Sequence, residues 1–243
     1  MMPTPAPSPR MRDFASPAEL AGELAAIVAD KLRDAVGKRG RAVMAVSGGS
    51  TPALFFERLS EQPLDWHKVA VTLVDERFVP PSSDRSNERL VRSTLLQNAA
   101  GAARFAGLYS PTATVEEAAS AADAGIAPLG QPFDVVVLGM GADGHTASFF
   151  SDAANIAALT DPRSRRRVLA VHAASGAEAR MTLTLPLIAN ARFIALHIEG
   201  DDKKAVLDRA LSDPDPKMPI RTVFDHAASP VHVFRAPSQG ATK

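Results

Sequence analysis

The segment Gly139-Met140-Gly141-Ala142-Asp143-Gly144-His145-Thr146-Ala147-Ser148 sets a histidine directly after the third of three glycines. A histidine can take a proton from water near neutral pH, and the glycines around it leave room for a small molecule. His145 is therefore the candidate general base. The glycines at 139, 141 and 144 also match the spacing of a dinucleotide-binding turn. Context argues against that reading, because such a turn usually opens its fold and the next predicted strand, 168–172, does not end in the acidic residue that would hold a ribose. Asp161 stands near the required separation, but in a loop. The other five histidines (His67, His172, His197, His226 and His232) lack such a setting and read as core or surface residues. No His-Glu cluster has metal-ligand spacing.

Two other segments carry chemistry-bearing residues. Ser47-Gly48-Gly49-Ser50-Thr51 combines hydroxyls with glycines ahead of a predicted helix, so its backbone amides can face an anion while the helix dipole favours the charge. A plain flexible turn is the alternative. The lysine and spacing of a nucleotide-binding P-loop are missing. In Asp75-Glu76-Arg77, two carboxylates and a guanidinium can hold hydroxyls or phosphate and orient a reacting group, although surface salt bridges would also account for Glu76 and Arg77. Asn87 and Arg89 are weaker members of the same group. The run Arg163, Arg165, Arg166, Arg167 reads first as a solvated basic loop. A covalent serine mechanism is disfavoured because the Gly-x-Ser-x-Gly elbow is absent. Direct attack by water is simpler.

These segments need elements to position them. Ser16-Pro17-Ala18-Glu19 has the spacing of a capping box, predicting a helix to about Val36 that ends in the gap holding Gly37 and Gly40. Strands are predicted at 42–46, 69–74, 105–109, 133–138, 168–172, 192–198 and 231–234, with helices at 53–59, 86–97 and 115–124. The alternation predicts a Rossmann-like three-layer α/β/α fold with a mostly parallel sheet. In such sheets ligands bind beyond the carboxyl ends of the strands, so the loops leaving at Ser47, Asp75 and Gly139 should converge on one crevice. The expected organisation is a disordered proline-rich arm over 1–13, a single catalytic domain over 14–236 and a flexible tail over 237–243.

Composition narrows the classes. The 243 residues hold 27 Lys and Arg against 27 Asp and Glu, so no global field draws the chain to nucleic acid or an anionic membrane, and phosphate recognition must be local. Cysteine is absent, which removes disulfides, thiolate nucleophiles and Cys-ligated zinc. No stretch reaches the roughly 18 apolar residues of a membrane span, and the first 13 residues lack a signal-peptide core. A cytoplasmic chain, monomeric or a weak homo-oligomer, is expected.

The ordered set Ala45-Val46-Ser47-Gly48-Gly49-Ser50-Thr51-Pro52, Val74-Asp75-Glu76-Arg77-Phe78-Val79-Pro80, Ser86-Asn87 and Gly139 to Ser148 resembles the 6-phosphogluconolactonase family over nearly the whole chain. The resemblance implies a sheet shared with glucosamine-6-phosphate isomerases and hydrolysis of 6-phospho-glucono-1,5-lactone to 6-phosphogluconate in the oxidative pentose phosphate pathway, with no metal or nucleotide cofactor. It implies that His145 is the general base, that Asp75 and Arg77 shape the reacting end, and that Ser47, Gly48, Gly49, Ser50, Thr51, Asp143, Gly144, Arg180 and Lys203 bind the phosphorylated sugar lactone.

The chain departs from the pattern twice. Ser175-Gly176-Ala177 stands where the family commonly shows Lys-Pro-Pro, so an expected cation is missing, and Lys203, Lys204 or an arginine of 163–167 is the expected replacement. Ser151 replaces a common proline. Glucosamine-6-phosphate isomerase or deaminase is the nearest competitor, but its members usually carry tyrosine at the Arg77 position and Asn-Glu-Pro soon after the histidine, where this chain has Ser148-Phe149-Phe150. A non-catalytic sugar-phosphate sensor is the alternative of another class, since fold alone does not fix function.

Overall fold

The structure, a computed structural model, describes residues 6–212 and 218–238. Its centre is β2 (Ala42–Val46), a continuous apolar run buried at every position, as a strand covered on both faces must be. Seven strands pair in parallel in the order β1-β10-β9-β6-β2-β3-β5. The others are β1 (Arg10–Asp13), β3 (Val69–Leu73), β5 (Arg104–Ala106), β6 (Val135–Leu138), β9 (Ile194–Glu199) and β10 (Val231–Ala236). A second, antiparallel sheet contains β4 (Asp75–Arg77), β8 (Arg180–Leu183) and β7 (Val168–Val171).

From β2 the chain steps outward to β3 and β5, then returns to place β6 on the other side of β2. That reversal is a topological switch point. The connections diverge there and leave a cleft beyond the carboxyl ends of β2 and β6. Ser47 and Gly139, the first residues after those two strands, therefore face the same opening.

Helices cover the sheet. α1 (Pro17–Arg39) packs against α2 (Ala53–Ser60) on one face, burying Leu20, Leu24, Val28 and Leu32 at helical spacing. Ser16 caps α1 by accepting from the Glu19 N–H, and Gly40 ends it with φ 71°, a left-handed conformation suited to glycine. The helix thus passes through Gly37. α3 (Asn87–Thr94) follows β4, and α4 (Val115–Ile126) precedes β6 and packs on the small sheet. A short α5 (Ile156–Leu159) and the later α6 (Leu185–Ala189), α7 (Asp201–Ser212) and α8 (Pro219–His226) complete the layers. Among the described residues no helix is long and apolar enough to cross a membrane.

Three expectations need correction. The 1–13 arm is not disordered throughout: Arg10–Asp13 form an edge strand on β10, and Asp13 takes both Arg235 Nε and Nη2 at 2.8 Å. Composition missed this because the partner strand lies more than two hundred residues away. Residues 1–5 lie outside the described residues, as do 239–243 of the expected tail. The 168–172 segment does form a strand, but it leaves the main sheet to pair with β8. Asp75 begins a strand rather than a loop, because the backbone of 75–77 pairs with that of 180–182.

His232 is the second residue of β10, with its ring 4.7 Å from Phe193 and its Nδ1 unpartnered. Burial, with Arg10, Arg12 and Lys31 nearby, lowers its pKa from 6.5 to about 4. The unfolded chain therefore takes up this proton near 6.5 while the folded chain resists until about 4, so stability falls as pH drops through that window. Denaturant midpoints measured at pH 7.5 and 4.5 should differ less in His232→Asn than in the parent; an equal difference contradicts this assignment.

Candidate active site

The cleft at the switch point is an open crevice. Its walls come from the Ser47–Pro52 loop after β2, from Asp75 and Arg77 of β4, from the segment after β6 that carries His145, and from Arg180, His197 and Lys203. All three sequence segments meet here.

His145 is held from behind. Its Nδ1 lies 2.6 Å from Asp143 Oδ1, and its backbone N–H donates to the same oxygen at 3.2 Å. Partial burial pushes the Asp143 carboxyl up, but the His145 ring and that N–H outweigh it and hold the group below the usual carboxylate range. An ionised carboxylate only accepts, so Nδ1 carries the hydrogen and the Nε2 lone pair is left free. The Phe150 ring lies 4.5 Å from the imidazole. Gly141 is required by contact: a Cβ there would overlap the His145 ring. Ala147, two residues on, sits at φ 52°, a strained conformation for a residue with a Cβ and one found preferentially at functional sites.

Asp75 is 5% exposed and accepts from Ser148 Oγ at 2.6 Å, with Arg180 Nη1 at 3.5 Å. Its backbone carbonyl accepts from Asn87 Nδ2 at 2.8 Å. Arg77 Nη1 donates to Arg85 O at 2.6 Å and to Asn87 Oδ1 at 3.0 Å. Arg77 and Arg180 each keep a buried Nε without a partner. Burial is the main cause that lowers the Arg77 pKa, and the charge of Arg180 adds to it. Two guanidinium groups and one carboxylate thus leave excess positive charge on the crevice wall. Lys203, at the start of α7, adds a third cation and has no ion-pair or hydrogen-bond partner among the described residues.

Glu76 points away from this wall. Fully buried, it accepts from the N–H groups of Asn87 and Glu88 at 2.8 and 2.7 Å and from Ser86 Oγ at 3.0 Å, so it caps the first turn of α3. Burial raises its pKa while these donors pull it back. It is no surface salt bridge. That cap fixes Asn87, and Gly48 must be glycine because a Cβ would overlap the Asn87 side chain. Loop and helix are thereby locked together.

Among the expected ligands, Ser47, Gly48, Gly49, Ser50, Thr51, Arg180 and Lys203 line the crevice, and so does Asn87. Asp143 and Gly144 do not. The turn closed by Gly141 N–H to His145 O, with Gly144 at φ 80°, swings them behind His145, where Asp143 orients the ring. Arg89 pairs with Asp84, outside the crevice. Arg166 and Arg167 pair with Asp123 on α4, and Arg163 pairs with Asp161, so these three arginines of the run are engaged elsewhere, and Arg165 does not line the crevice. Of the named replacements for the missing cation, Lys203 alone lines the crevice. Sequence reasoning missed Ser148, Phe150 and His197. Ser148 and Phe150 flank the glycine-histidine motif, but a spacing argument carries no sign of their partners. His197 sits within an apolar strand pattern that reads as core.

Comparison with known proteins agrees with this architecture. The family model described as glucosamine-6-phosphate isomerases/6-phosphogluconolactonase matches residues 15–232. A 6-phosphogluconolactonase of Mesorhizobium japonicum is 58% identical over 219 residues, covering 90% of this chain and 92% of that protein. One of Rhizobium meliloti is 49% identical over 95% of this chain and 100% of its own length. The crystal structure of a 6-phosphogluconolactonase from Shewanella baltica superposes with a TM-score of 0.91 at 40% identity, covering 96% of this chain and 100% of that one. With a family match over residues 15–232 that takes in every wall of the crevice, the chain belongs to the glucosamine-6-phosphate isomerase/6-phosphogluconolactonase family, among its 6-phosphogluconolactonases.

Proposed function

We propose that this chain hydrolyses 6-phospho-D-glucono-1,5-lactone to 6-phospho-D-gluconate in the cytoplasm, as a monomer or weak homo-oligomer and without a cofactor, with His145 activating water. The observation that carries the mechanism is the Asp143–His145 pair, which leaves Nε2 as a free base on the crevice wall. The names of the relatives support the substrate.

In this reading His145 Nε2 takes a proton from water as the water oxygen attacks the lactone carbonyl carbon. The electron pair of the C=O bond moves to oxygen. Arg77, which also lines the crevice, stabilises that oxyanion in this reading. When the carbonyl re-forms, the bond from its carbon to the ring oxygen breaks, and the imidazolium returns its proton to that oxygen. The new carboxylic acid then ionises and releases one proton to solvent. Asp75 holds Arg180 in place, and the excess cationic charge of Arg180 and Lys203, with the Ser47–Thr51 loop, suits the phosphate.

Arg77 stands where the isomerases and deaminases usually carry tyrosine, which favours the lactonase over that reading. A sensor would bind the lactone and release no acid.

Acid release from freshly made lactone, followed by pH-stat above the spontaneous rate, separates enzyme from sensor. Folded His145→Ala should lose about 10²- to 10⁴-fold in kcat, the share a positioned base supplies. Unchanged turnover by that variant rules the role out. Gly141→Ala should keep its thermal midpoint within a few degrees yet lose at least about tenfold in kcat, since a small displacement of a catalytic group is costly. Retention of full activity would show that the glycine is not needed to seat the imidazole.

A further inference from the structure

His197 is a buried histidine that the mechanism above does not use. It lies near the carboxyl end of β9, is 3% exposed, and lines the crevice. Its Nε2 is 3.0 Å from Glu199 Oε1, while Nδ1 is buried with no partner. Ser47 Oγ and the Nε atoms of Arg77 and Arg180 are the other buried atoms without a partner among the residues that line the crevice. Buried polar atoms are nearly always satisfied, so four such atoms on one ligand crevice point to a group that arrives with the ligand.

Register places His197. Val46, Val137 and Ala195 share one rung of the sheet, so two residues further on His197 is level with Gly48 and Gly139. It pairs with Phe234 on its other side, and its ring meets Phe55 of α2 edge-on at 6.2 Å. It therefore lies on the face covered by α2, beneath the hydroxyl-rich loop that leads into that helix, with Lys203 on the next turn of chain beyond β9.

We propose that His197 is a specificity-determining residue for the phosphate group of the ligand. The assignment rests on the sugar-phosphate reading given above. Glu199 accepts from Nε2–H and thereby orients the ring, which leaves Nδ1 of the neutral imidazole as an acceptor. Such an atom repels a bare phosphate oxygen but binds one through water: the water donates one hydrogen to Nδ1 and the other to the phosphate. An unphosphorylated lactone makes no use of this arrangement, so His197 contributes to discrimination rather than to bond cleavage.

Two polar substitutions test the assignment on the full chain. Asn sets its amide near the place of Nδ1, whereas Gln reaches towards the place of Nε2 and leaves Nδ1 unreplaced. The readout is the ratio of kcat/KM for 6-phosphogluconolactone to that for D-glucono-1,5-lactone, with competitive inhibition by inorganic phosphate as a second measure. His197→Gln should lower the ratio about tenfold through KM and weaken phosphate inhibition equally, the scale of one hydrogen bond to a charged group. His197→Asn should keep the ratio within about threefold of the parent, because the bond is re-made in altered geometry. No change in either variant, or equal losses on both lactones, overturns the proposal. If the parent fails to hydrolyse the phospholactone at all, the activity reading is lost, while calorimetric affinity for inorganic phosphate in parent and variants still decides the role of His197.

Discussion

A carboxylate shut away from water needs partners, since an unpaired buried charge costs several kcal/mol. At Asp75, 5% exposed, the carboxylate's partners come from two separate stretches of chain, and a third meets its backbone. Ser148 Oγ belongs to the segment after β6, Arg180 to β8, and the Asn87 amide that meets its carbonyl to α3. One buried group thus ties the main sheet, the small sheet and the histidine-bearing loop. Its charge is also what allows Arg180 to sit on the same wall as Arg77. Burial, and then the charge of Arg180, lower the Arg77 pKa, and the single carboxylate offsets only part of this. A wall left short of negative charge is selective for an anion, which completes the balance on binding.

The switch point supplies the space around this tie. Because the chain reverses between β2 and β6, the loops after those strands diverge and the cleft forms without any cavity being carved from the core. Glycines then bring backbone and side chains into contact at close range. Gly48 admits the Asn87 side chain and Gly141 admits the imidazole, each at a distance that a Cβ would occupy. Phe150 lies beside both the His145 ring and the Arg180 guanidinium, whose carbon is 5.1 Å from the aromatic centroid, so one apolar side chain seats the base and a cation together.

The histidines show how environment divides one residue type into several roles. His145 keeps a free nitrogen because a carboxylate two residues earlier holds the other. His197 is held in the same manner by Glu199, also two residues away, but on a strand inside the sheet. His232, surrounded by Arg10, Arg12 and Lys31, is kept neutral by burial and like charge. Short-range spacing is therefore similar for His145 and His197, and only their surroundings separate a base at an open glycine turn from a group beneath a loop.

What the sequence determined by itself was local in origin. The apolar runs at 42–46 and 133–138, the capping box at Ser16 and the glycine turns after β2 and β6 express backbone preferences and burial patterns that act over a few residues, so they marked the layers and three of the crevice walls. Tertiary structure decided what depends on partners far along the chain. Arg10–Asp13 became a strand only by meeting β10, 168–171 left the main sheet only by pairing with β8, and Asp143 turned from a ligand candidate into the support of His145 through the fold of its own turn. Strand pairing and buried hydrogen bonds are interactions between segments, and a residue's identity carries no record of which distant segment will satisfy it.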